Sequence, residues 1–148
     1  MDKKEEAIEY LKNAKDAHLK WVKKAKDLVF SNLDLSEKII PVNSTECEFG
    51  KWFLKEGRGL LLLNEVSDLK KIEFLHKELH EIYETIFNIY YLKNKKSFIG
   101  KLFGVKRKIS EEDLNKSKKS FNKMVLISEK LLKEIEFLEQ IVIKINKF

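Results

Sequence analysis

Apolar side chains recur at steps of three and four residues along most of the chain, with charges between them, a spacing that predicts a succession of amphipathic helices. Over residues 4–30 the stripe runs through Ile8, Leu11, Ala14, Trp21, Ala25 and Leu28, and His18 falls inside it, at a position that faces the core. The pattern dissolves between Ser31 and Thr45, where Asn32, Asp34, Ser36, Pro41, Asn43 and Ser44 supply turn and capping chemistry. A second helix is expected from Ser44 or Thr45 as N-cap, through Cys47, Phe49 and Trp52 towards Gly57. Cys47 would then sit in the first turn, where unpaired N–H groups and the helix dipole favour a thiolate.

Gly57 and Gly59 punctuate the chain before a long helix expected over residues 60–92. Its stripe reads Leu62, Val66, Leu69, Ile72, His76, Leu79, Tyr83, Ile86 and Tyr90. His80 follows His76 by four residues, so both imidazoles lie on one face, a turn apart. A last helix starts at Ser110, whose Ser-Glu-Glu-Asp sequence offers an N-cap and a negative first turn. Its stripe is regular: Phe121, Met124, Ser128, Leu131, Ile135, Leu138, Val142 and Ile145, widened by Val125, Leu132 and Ile141. Carried to Lys147 it would be about 55 Å long, which leaves two arrangements open: packing on its own chain, or in trans with a second chain or partner.

With 148 residues, one proline and five glycines, the chain reads as a single helix-rich, all-α unit. No apolar run approaches the ~20 residues of a membrane-spanning helix, and the start, Met1-Asp2-Lys3-Lys4, has no hydrophobic signal core, so a cytoplasmic protein is expected. Charge is uneven. Lys93, Lys95, Lys96, Lys101, Lys106, Arg107 and Lys108 form a connector without an acid, and their seven charges exceed the net +6 of the whole chain. The remainder is near neutral, which argues against a nucleic-acid surface. Because the connector interleaves its cations with Phe98, Ile99, Leu102 and Phe103, it can also be read as a segment that lies on anionic lipid.

A lone cysteine cannot close an internal disulfide, and in this chain it reads as a free thiol or a metal ligand. Together with three histidines it makes four soft or imidazole donors: His18, Cys47, His76 and His80. Zinc favours a tetrahedral set of imidazole nitrogen and thiolate sulfur, and an i, i+4 histidine pair can chelate one ion. Singly, each of the four is an ordinary core residue. Composition and spacing leave both readings open, although all three histidines replace apolar core positions. Asp16, Glu73 and Glu84 are candidates to orient the imidazoles; Trp21 and Trp52 read as packing, and Phe49 and Gly50 as allowing close approach of the Cys47 helix.

The order His18-Leu19-Lys20-Trp21, then Cys47-Glu48-Phe49-Gly50-Lys51-Trp52, then His76-Lys77-Glu78-Leu79-His80 resembles the chemoreceptor zinc-binding (CZB) domain family over about residues 7–92. The resemblance implies an antiparallel four-helix-type bundle holding Zn2+ through His18, Cys47, His76 and His80, frequently as a homodimer. With the charge and spacing read above, the chain is expected to comprise residues 1–92 as the zinc-binding bundle, 93–109 as basic connector and 110–148 as a long C-terminal amphipathic helix, packed on the bundle or in a dimer. The resemblance also implies a sensory or regulatory role, responding to zinc or to oxidants such as hypochlorous acid through Cys47. The partner implied is a chemoreceptor or a diguanylate cyclase, which links the chain to chemotaxis or cyclic-di-GMP signalling. The segment from Lys93 to Phe148 is too short for a receptor signalling domain or a cyclase domain, so a stand-alone module is expected. Four protein ligands leave no position for water, so no enzyme activity is expected. The alternative is a membrane-surface or helix-binding adaptor in which zinc is purely structural.

Overall fold

The computed structural model describes residues 1–32, 41–66, 69–93 and 108–148, and these are helical with no strand among them. Helix α1 is Lys3–Ser31. Asp2 caps it in a reciprocal box with Glu5, its side chain accepting from the Glu5 N–H, and Asn32 closes it in the left-handed conformation (φ 50°). A second rod combines α2 (Glu48–Trp52), a π-helical stretch (Phe53–Gly57) and α3 (Arg58–Leu63). The third is α4 (Lys70–Phe87), continued by a π-helical stretch, Asn88–Lys93. The fourth is α5 (Glu111–Lys144), capped by Ser110, whose hydroxyl accepts from the Asp113 N–H as expected.

Cross-helix pairs give the directions. Tyr10 stacks on Trp52 and His18 meets Phe49, so α1 runs antiparallel to the second rod. Lys4 reaches the carbonyls of Ile143 and Ile145 while Phe30 packs on Phe121, so α5 runs back along α1. Lys71 pairs with Glu134, and the Tyr90 hydroxyl meets Ser117, so α5 is antiparallel to α4 as well. The result is an all-α bundle with a long C-terminal helix that folds back on its own chain, between α1 and α4. A buried carboxylate, Glu139 on α5, pairs with Lys15 on α1 inside this contact.

The stripes form the core: Leu11, Leu61, Leu79, Ile86, Met124, Leu131, Ile135 and Val142 are fully enclosed. Three expectations need correction. The helix expected over residues 60–92 is broken: α3 stops at Leu63 and α4 begins at Lys70. The stop is a Schellman turn, in which Val66 N–H donates to Leu61 O (2.9 Å) and Glu65 N–H to Leu62 O (3.1 Å), with Glu65 at φ 62°. Its signature residue at that position is glycine; here burial of Val66 against the core with Leu61 compensates for a strained glutamate. Leu62, read as a core position, is exposed, and Leu61 is buried in its place. Gly57 and Gly59 do not punctuate either. Both sit in helical backbone, and a Cβ at Gly57 would meet the Trp52 ring at 2.8 Å. The cationic and apolar side chains expected in the connector between residues 94 and 107 lie outside the described residues, as do Asp34 and Ser36.

Candidate metal centre

Three elements deliver the four donors. His18 comes from the middle of α1, His76 and His80 from the middle of α4, and Cys47 from the N-terminus of α2. Each of the four offers one ligand atom, and those atoms all lie within 4.8 Å of one another. Cys47 Sγ is 3.2 Å from His76 Nε2. A tetrahedron with zinc–nitrogen bonds of 2.0–2.1 Å and a zinc–sulfur bond of 2.3 Å has donor–donor edges of about 3.3–3.6 Å. The cluster is thus close to the size a single ion needs.

Hydrogen bonds decide which ring nitrogens face inward. His18 Nδ1–H donates to Ala14 O (2.6 Å), one turn back on its own helix. His80 Nδ1–H donates to Pro41 O (2.9 Å) and Val42 O (3.2 Å), in the segment that leads to Cys47. Each ring therefore keeps its Nε2 lone pair free to act as a donor atom. His80 Nε2 is buried and has no hydrogen-bond partner among the described residues. An unpaired buried acceptor is costly, and a cation between the four donors is what would satisfy it. Asp16, Glu73 and Glu84 do not orient the rings. Asp16 is turned to solvent and pairs with Lys20 (2.8 Å), Glu84 is exposed, and Glu73 makes no hydrogen bond to an imidazole. Backbone carbonyls take that role, and no side-chain pattern in a sequence announces them.

The surroundings are dry and aromatic. Trp21 lies against His80, Phe49 meets His76 edge-on, and all three imidazoles are at most 5% exposed. Burial, with the neighbouring histidines as a lesser cause, pushes His76 down to about 2 and His80 to about 4, and burial lowers His18. All three are neutral at physiological pH, the form a metal requires.

Cys47 is placed differently from expectation. It is itself the N-cap of α2, in extended backbone, and its Sγ accepts from the Gly50 N–H at 3.3 Å. That N–H, with those of Phe49 and Cys47 itself, pulls the thiol towards ionisation, but burial outweighs them and raises it above its ordinary 9.0. The helix terminus alone does not make a thiolate here; a cation bound by the neighbouring donors would displace the thiol proton. Gly50 shows why a glycine stands three residues after the cysteine, since a Cβ would come within 1.8 Å of Ser44 O.

A closed set of three imidazoles and one thiol, carried by a helical bundle, defines a protein able to hold one metal ion between its helices. Residues 18–87, a little under half of the chain, match the family model described as the chemoreceptor zinc-binding domain. Comparisons with curated proteins and with solved structures give no match. No helix among the described residues is long and apolar enough to cross a membrane.

Proposed function

We propose that the chain is a zinc-binding sensory or regulatory module, with zinc held by His18, Cys47, His76 and His80. The observation that carries this reading is the convergence of four donor atoms within 4.8 Å, one of them the orphaned His80 Nε2. Three imidazoles and a thiolate suit zinc, and the matched domain supports that choice of metal. Bound there, zinc supplies a redox-inert cross-link between α1, the Cys47 segment and α4. The chain's residues do the rest: the carbonyls of Ala14, Pro41 and Val42 hold the rings, and Trp21 and Phe49 exclude water. Four protein donors close the coordination sphere, which favours a non-enzymatic role.

Cys47 is the exposed corner of the site. It is half-buried whereas the histidines are enclosed, so a two-electron oxidant such as a peroxide or hypochlorous acid reaches the sulfur first. Its oxidation would weaken one of four bonds and loosen α2 against α1 and α4. We take the output to be a chemoreceptor or diguanylate cyclase partner in the cytoplasm, with the module acting as a homodimer; the family description supports a signalling role.

The test is metal content of protein purified without added zinc, with each ligand replaced by alanine in turn. One equivalent of zinc in the parent and its loss in the four variants is expected. Protein that is well folded and takes up no zinc overturns the reading. Mass spectrometry of Cys47 during an oxidant titration, run beside zinc release, tests the sensing half. If the sulfur resists oxidant while metal is retained, zinc is a structural pin only.

A further inference from the structure

Cys47 is the one donor not carried in the body of a long helix, so something else must hold its sulfur on the histidines. Residues 41–47 form an arch with both feet on the site. At one foot, Pro41 and Val42 offer their carbonyls to His80 Nδ1. At the other, Cys47 Sγ sits 3.2 Å from His76 Nε2. Between them stands Asn43, an exposed residue that touches no ligand. Its Oδ1 accepts from both Thr45 N–H (3.0 Å) and the Thr45 hydroxyl (2.9 Å), and its own carbonyl accepts from Glu46 N–H (3.1 Å). These bonds set the turn 43–46. The turn in turn lays Ser44 O over Gly50, and this leaves Cys47 at the N-cap of α2 with its sulfur on the Gly50 N–H.

We propose that Asn43 is a positioning residue for the Cys47 thiolate: its side-chain carbonyl closes the turn that keeps the sulfur within reach of the three imidazoles. The inference rests on the zinc-site reading and deepens it. Without Oδ1 the turn loses two of its three hydrogen bonds, and in the half-exposed, non-helical arch the middle keeps only the Glu46 N–H bond to Asn43 O and the long contact of Cys47 Sγ with Ser44 O (3.5 Å). The histidines, on α1 and α4, keep their places. The effect therefore falls on sulfur ligation and spares the imidazole set.

The experiment loads the full chain with Co2+ and reads two absorption features separately: the sulfur-to-cobalt charge-transfer band in the near ultraviolet and the d–d bands in the visible. Parent protein, Asn43→Ala and Asn43→Asp are compared, with circular dichroism as the check on helix content. Aspartate keeps the acceptor oxygen and closes the same turn. In Asn43→Ala the charge-transfer band is expected to weaken relative to the d–d bands, with metal affinity down about 10-fold or more, as for other partners that orient ligands. Asn43→Asp is expected to restore both. A parent chain that shows no cobalt bands sinks the zinc-site reading and this inference with it. If the parent shows both features and Asn43→Ala keeps its full charge-transfer band and affinity, the site stands and Asn43 has no positioning role. An Asn43→Asp variant no better than alanine overturns the inference in the same way.

Discussion

The indole of Trp21 lies 4.5 Å from the imidazole of His80, centroid to centroid, with the planes 46° apart. One turn after His18 on α1, it walls the site against α4 and also meets Tyr83 edge-on at 4.9 Å. Removing it opens a cavity beside a metal ligand. We expect Trp21→Ala to lower stability by about 3–5 kcal/mol, read as a shift in urea midpoint, and Trp21→Phe to lose less than half of that. Equal losses for the two would show that the ring does not fill this space.

Metal-free protein should depend on pH in a definite sense. His76 and His80 titrate near 2 and 4 in the fold against an ordinary 6.5, and His18 is lowered too. Between those values the unfolded chain binds protons that the folded chain refuses, so stability rises with pH. The contribution is complete above about 6.5 and is lost progressively as pH falls towards 4 and then 2. Cys47 acts at the other end: raised above 9.0, its thiol stays protonated in the fold while the unfolded chain ionises, so stability declines above pH 9. Chelator-treated protein is therefore expected to show its highest urea midpoint between about pH 7 and 9, with a fall on going to pH 5. A flat profile between pH 5 and 7 would show that the histidines are not buried neutral.

Two glycines in one rod should respond oppositely to the same substitution. At Gly57 a methyl meets the rigid Trp52 ring at 2.8 Å, whereas at Gly59 it meets nothing within 4 Å. Gly57→Ala is expected to cost about 1–3 kcal/mol through overpacking. Gly59→Ala, in the exposed interior of α3, is expected to gain about 0.5–1 kcal/mol. Thermal denaturation of the pair decides, and a destabilised Gly59→Ala would contradict the open surface drawn for α3.

The sequence by itself determined which side chains face inward. Steps of three and four picked out most of the enclosed positions of α1 and α5 but missed Ala7, Val29, Asp113, Ser117 and Glu139, and all three histidines occupy enclosed positions. Periodicity reports the face of a helix, and that face is a local property. Composition likewise singled out the four donors, because the chain has no other cysteine or histidine to offer. Tertiary structure decided the rest. The stop after Leu63 carries a strained Glu65 where the stop signal is glycine, and it holds because Val66 finds a place in the core. The imidazoles are oriented by carbonyls of Ala14, Pro41 and Val42, groups that every residue possesses and that only proximity makes distinctive. Burial, which depends on neighbours far away in the chain, left the Cys47 thiol protonated where a helix terminus alone favours its ionisation. The choice between packing α5 in cis or in trans was likewise unreadable from an amphipathic stripe; complementary surfaces on α1 and α4 draw it back onto its own chain.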